Sequence, residues 1–188
     1  MFITVQMLRN KKACCLERRI KDLGKKLGRR PKSADGLTFS QWATLGRNYA
    51  PDKASASFGE LRWAYQQFAE QSDKLRFDAA VAKRLLKDFP TMDSIDKENL
   101  QKLLVFLESG ENVPDDLQVQ LNRRYFNLPV GEDIFASVVS DLTSTEYDCF
   151  VALETLYAEK LWNIPDADAE CRRRMRLLVA EIAAEAGI

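Results

Sequence analysis

The chain has 188 residues, 46% of them apolar and 30% charged, with 28 Lys/Arg balanced by 28 Asp/Glu and no histidine at all. That length closes one sizeable core, burying roughly 70% of the surface the unfolded chain exposes, and no apolar run approaches the roughly 18 residues of a bilayer span. Lack of histidine excludes Ser/His/Asp and Cys/His nucleophile systems, His metal triads and H-x-E deaminase sites together.

Apolar spacing is helical along most of the chain, and no strict alternation bounded by turn residues stands out. The first predicted element is an amphipathic basic helix over about 4–28. Leu16, Ile20, Leu23 and Leu27 step by 4, 3, 4, with Arg18, Arg19, Lys21, Lys25 and Lys26 on the other faces. It stops where Gly28 meets Arg29, Arg30 and Pro31, and the polar stretch 31–36 reads as a linker. Phe39, Trp42, Leu45 and Tyr49 predict a short helix ended by Pro51, and Phe58, Leu61, Tyr65 and Phe68 a longer one over about 56–73. Seven of the 18 aromatics lie between Phe39 and Phe68, which predicts that this pair nucleates the core.

Leu75, Val81, Leu85 and Phe89 give a helix over about 74–88 that must turn at Pro90. Ser94 is the expected N-cap of a helix over about 95–108, stopped by Gly110. Pro114, Asp115 and Asp116 suit the first turn of the next helix, whose apolar stripe is Leu117, Leu121 and Tyr125 and which Pro129 and Gly131 close. Ile134, Phe135, Val138, Val139 and Leu142 predict a further helix. Thr143 with Glu146 forms a capping box opening another through Trp162. After Pro165 a final helix at about 166–186 carries Cys171, Met175, Leu178 and Ile182 on one face. The expected fold is all-α: a single irregular or orthogonal bundle of seven to nine helices, with a basic arm (1–30), a linker (31–36) and an acidic helical body (37–188).

Charge is distributed unevenly. Residues 1–47 hold 12 Lys/Arg against Glu17, Asp22 and Asp35, net +9, and residues 48–188 hold 16 against 25, net −9. Lys25, Lys26, Arg29, Arg30 and Lys32 fall within eight residues with no acid among them. Phosphate oxygens are the partners that satisfy such a cluster best. The candidate nucleic-acid or partner-binding residues are therefore Arg18, Arg19, Lys21, Lys25, Lys26, Arg29, Arg30, Lys32 and Arg47. Arg123 and Arg124, on a helix with Gln118, Gln120 and Asn122 that has the general form of the second helix of a helix-turn-helix, are secondary candidates. An ordinary helical hairpin explains that pair more simply, because Asp115 and Asp116 at the reading end repel phosphate. Arg173 and Arg176 are also secondary, since Asp168 and Glu170 stand four residues before Arg172 and Arg174 and account for those two.

For an enzyme only carboxylates remain. Glu70/Asp73, Asp93/Asp96 and Glu108/Glu111 have the three-residue step that places two carboxylates on one helix face, as metal-dependent helical hydrolases require. The last two pairs fall at helix termini, where their own capping chemistry explains them. No G-x-G-x-x-G or P-loop pattern occurs, so no cofactor is expected. Four cysteines without framework or metal-ligand spacing fit a reduced, cytoplasmic protein, with Cys149 in the core. Adjacent Cys14 and Cys15 and the apolar start Met1, Phe2, Ile3 and Val5 leave a membrane surface as a weaker option, disfavoured because the apolar face is narrow.

The sequence thus predicts a non-enzymatic intracellular regulatory protein, its basic arm on nucleic acid and its acidic body on a protein partner. The alternative is a protein–protein adaptor or inhibitor whose basic helix docks on an acidic partner or forms a homodimer seam with the Cys171–Ile182 stripe.

Overall fold

The computed structural model describes residues 1–13, 16–44, 54–111, 113–126, 142, 150, 153, 157 and 167–188. Within these ranges the side chains of 54–58, 122–126 and 167–173 lie outside the description. The predicted helix over Ile134–Leu142 and the one opened by Thr143 and Glu146 fall almost wholly outside it, as do Arg47, Tyr49, Cys14, Cys15 and Cys149.

The described chain is predominantly helical. In order it runs β1 (Phe2–Thr4), α1 (Val5–Asn10), α2 (Leu16–Leu27), β2 (Gly36–Thr38), α3 (Phe39–Thr44), α4 (Ala54–Phe68), α5 (Gln71–Asp88), α6 (Ser94–Ser109), α7 (Asp115–Phe126) and α8 (Ala167–Glu185). It divides into two compact units, one made of Met1–Glu70 with Arg172–Ile188, the other of Gln71–Cys171.

In the first unit, the single helix predicted over 4–28 is replaced by a strand and two helices. β1 pairs antiparallel with β2, Phe2 opposite Thr38, Ile3 opposite Leu37 and Thr4 opposite Gly36. Ile3 and Leu37 share the buried face, as the two-residue period of a strand requires. Gly36 has to be glycine: a Cβ there would strike the Ile3 carbonyl and come within 2.9 Å of the Phe2 ring. Thr4 then caps α1, its hydroxyl accepting from the Met7 N–H at 3.1 Å. Two further N–H groups of the α1 entry reach into the stretch predicted as linker, Val5 donating to the Asp35 carbonyl (2.9 Å) and Gln6 to that of Ser33 (3.0 Å).

Each of the first two helices ends in a Schellman turn. Lys12 (φ 50°) closes α1, with Ala13 donating to Leu8 and Lys12 to Arg9. Gly28 (φ 65°) closes α2, with Arg29 donating to Gly24 and Gly28 to Lys25. Gly24 leaves room for the returning chain, because a Cβ on it would lie 3.2 Å from both the Arg29 carbonyl and Pro31.

α3 opens with a reciprocal capping box, the Thr38 N–H donating to Gln41 Oε1 and the Gln41 N–H to Thr38 Oγ1, both at 3.2 Å. The C-terminal segment grips the same short helix. The Ser40 N–H donates to the Ile188 carbonyl at 3.2 Å, and Arg176 donates to the Ala43 carbonyl at 3.2 Å. Trp42 ties α3 to the ribbon through Nε1 to the Ile3 carbonyl at 3.3 Å. The core of this unit gathers Ile3, Val5, Leu23, Phe39, Tyr65, Val179 and Ile182. Phe39 meets Tyr65 at 5.8 Å between ring centroids, so aromatic residues of the Phe39–Phe68 region form part of it.

The second unit is built on α5 and α6. Ala79, Ala80, Val81 and Ala82 are buried along α5, and Leu100, Leu103 and Leu107 along α6; the small α5 residues allow close helix approach. Phe77 stacks on Phe150 at 5.8 Å and 18°, both fully buried. Phe89 meets Tyr157 edge-on at 5.4 Å. The Tyr157 hydroxyl donates to Asp88 at 2.8 Å. Burial first, then that carboxylate, pushes the Tyr157 phenol up from its ordinary value. α6 ends at Gly110 (φ 75°) as predicted, but its N-cap is Asp93, whose carboxylate accepts from the Ile95 N–H at 2.8 Å. The sequence pointed to Ser94, which instead occupies the first helical position.

Candidate polyanion-binding surface

α2 carries its apolar stripe and its charges on opposite sides, as a 100° step per residue dictates. Leu23 is fully buried, Leu16 and Ile20 are half-buried, and Leu27 at the last turn is 36% exposed. Lys21, Lys25 and Lys26 project to solvent, and beyond the Gly28 turn Arg29, Arg30 and Lys32 are exposed as well. Lys25 and Lys26 fall in the last turn of α2, where cations also complement the helix dipole.

The predicted site residues meet different fates. Arg19 is half-buried and ion-paired with Glu60 of α4, so it secures α2 to its neighbour. Arg18 is half-buried. Lys25 lies 3.9 Å from Asp22, itself buried. The sequence leaves Arg29 without a pair; in the structure it grips Asp35 with two nitrogens, at 2.6 and 2.8 Å, and also donates to the Arg30 carbonyl at 3.3 Å. Asp35 in turn accepts from the Lys32 N–H at 2.6 Å. These contacts, led by the Arg29 hydrogen bond, hold the Asp35 carboxyl at about 2 and raise the Arg29 guanidinium. Arg29 therefore closes the 29–35 turn. Among the described residues, no ion pair engages Lys21, Lys26 or Arg30.

Arg176, a secondary candidate from the sequence, is placed in the interior rather than on the surface. It is buried and spends a hydrogen bond on Ala43, because its place on α8 faces the unit's interior. Arg47 and the side chains of Arg123, Arg124 and Arg173 lie outside the described residues. On α7 the Gln118 amide donates to the Val113 carbonyl at 3.3 Å, tying that amide to its own helix start. Of the carboxylate pairs, Asp73 is bound to Arg76 at 2.6 Å, Asp93 caps α6 and Glu108 pairs with Lys83 at 2.5 Å. No group of three potential metal ligands gathers among the described residues.

Two contributors to this surface escape sequence reasoning. Arg9 reaches from α1 to the Ser33 hydroxyl at 3.3 Å, across 24 residues of sequence, and is followed by exposed Lys11 and Lys12. Phe2, which the sequence placed in the apolar start that left a membrane surface as the weaker option, is 52% exposed on β1. Pairing of Phe2–Thr4 with Gly36–Thr38 is what brings both to the 29–36 loop, and no short-range pattern announces it.

No protein-family model matches the chain, and neither a curated protein nor a solved structure is significantly similar to it. Among the described residues no helix is long and apolar enough to cross a membrane.

Proposed function

We propose that the protein is a non-enzymatic binding and regulatory protein of the cytoplasm whose basic N-terminal unit engages the phosphate backbone of nucleic acid, while its acidic unit contacts a protein partner. The observation that carries this reading is the way charge follows the two compact units. Met1–Glu70 with Arg172–Ile188 contains 18 Lys/Arg against eight acidic residues, net +10, and Gln71–Cys171 contains ten against 20, net −10. The C-terminal arginine run thus joins the basic half, and the opposition of charge found along the sequence persists when the chain is divided by unit. A field of that sign attracts a polyanion by releasing its condensed counterions, largely independent of base sequence.

Exposed Lys21, Lys26, Arg30 and Lys32 are the groups best able to reach phosphate, since Arg29 is committed to Asp35. The test is binding of the full chain to nucleic acid across a salt series. Contact with about five phosphates gives a log–log slope on the order of −4 on duplex DNA. Lys21→Glu/Lys26→Glu/Arg30→Glu/Lys32→Glu should abolish binding and leave the far-ultraviolet helical signal unchanged. Wild-type protein that fails to bind any nucleic acid at about 50 mM salt would replace this reading by the adaptor one, in which the same basic surface meets an acidic protein.

A further inference from the structure

The geometry points to Phe2 as a base-stacking platform, so that the β1–β2 ribbon and its basic loop take single-stranded nucleic acid in preference to duplex; this rests on the polyanion-binding function proposed above. Among the exposed large apolar side chains described, Phe2 is the aromatic one. An exposed phenyl ring costs hydration free energy unless something covers it. Phe2 alternates with buried Ile3, so it stands on the outer face of the ribbon. There its ring lies over Gly36, within 2.9 Å of where a Cβ would be. With no side chain on Gly36 the ring has room there, and Phe2 remains 52% exposed.

The setting of that ring is cationic. Gly36 follows Asp35, whose carboxylate holds the Arg29 guanidinium. The same turn carries exposed Arg30 and Lys32, and Arg9 is fixed on its Ser33. The strand that carries the ring is also well anchored. The Met1 carbonyl accepts from the Phe39 N–H at 3.2 Å, and the Ile3 carbonyl accepts from Trp42. An aromatic face fixed beside a cluster of Arg and Lys is the combination that binds unpaired bases, because every base has a π face and each nucleotide brings a phosphate. A duplex keeps its bases stacked on one another and offers the ring nothing but backbone.

The experiment compares the full chain, Phe2→Ala, Phe2→Leu and Phe2→Trp on a mixed-sequence single strand of about twelve nucleotides and on the matching duplex. Phe2→Ala and Phe2→Leu should weaken single-strand binding by about 5- to 150-fold, with the salt slope unchanged. Phe2→Trp should retain it, and duplex binding should be the same in all four proteins. Phe2→Leu keeps the apolar cover over Gly36 while removing the π face, so an equal loss in both variants cannot come from local unfolding. Wild-type binding that is unaffected by Phe2→Ala, or that favours duplex, overturns the stacking proposal and leaves phosphate binding standing. No binding of wild type to either probe overturns both.

Discussion

Asp35 shows how one residue turns a charged stretch into a folded loop. Its carboxylate takes two nitrogens of Arg29 and the Lys32 N–H, and its carbonyl receives Val5, so the turn and the start of α1 share one anchor. The folded chain holds this carboxyl at about 2, against an ordinary 3.8, and so binds fewer protons there than the unfolded chain. The stabilisation is complete above the ordinary value and disappears as the pH falls through the folded one. Both groups are solvent-accessible, which keeps the contribution small and salt-sensitive. Asp35→Asn removes the titration. The difference in urea midpoint between wild type and Asp35→Asn should be constant above about pH 4 and shrink toward zero as the pH approaches about 2; a difference independent of pH over that range would show that the carboxylate does not stabilise the turn. Lys12 is the contrasting case, since it holds a left-handed φ of 50° without being glycine, at a cost of roughly 1–2 kcal/mol.

At the scale of elements, α6 separates capping from composition. Asp93 and Ser94 are both good cap residues by type, yet of the two only the Asp93 carboxylate accepts from a backbone N–H of the first turn. Asp93→Ala should therefore cost about 1 kcal/mol and Ser94→Ala less than about 0.5 kcal/mol, read from urea unfolding followed by circular dichroism; the reverse order would move the cap by one residue. This one-position shift is typical of what the sequence leaves open. α5, α6 and α7 were legible because long apolar periods run between Pro90, Gly110 and Pro114. The boundary between α4 and α5 was not, because Phe68 ends the one and Gln71 begins the other with no Gly or Pro between them. The ribbon was invisible for a different reason. A three-residue strand is too short to display alternation, and Ile3 finds Leu37 across 34 positions, so pairing rather than local propensity decides its conformation. Of the candidate surface, the exposed lysines of α2 followed from the helical period, whereas the commitments of Arg19 to Glu60, Arg29 to Asp35 and Arg176 to Ala43 depend on tertiary neighbours.

At the scale of the whole molecule, two units of net +10 and −10 within one neutral chain bear on self-association as well as on ligands. Near the isoelectric point, at a pH of about 6.4, no net repulsion separates copies, while the basic unit of one copy and the acidic unit of another attract each other. The apolar homodimer seam proposed from the α2 stripe has less to offer. Leu23 is already buried in its own unit, and of the four stripe residues Leu27 alone is exposed. The two modes respond oppositely to salt, because ionic contacts are screened over a Debye length of about 10 Å at 0.1 M, whereas sulfate strengthens apolar burial. Sedimentation at micromolar protein should give a weight-average mass above the 21.5 kDa of one chain at about 10 mM salt, falling to that of the monomer by about 0.3 M. Lys21→Glu/Lys26→Glu/Arg30→Glu/Lys32→Glu should remain monomeric throughout. An association that persists or grows in sulfate would assign the contact to apolar surface, and a strict monomer at about 10 mM salt would show that the opposed charges do not meet between copies.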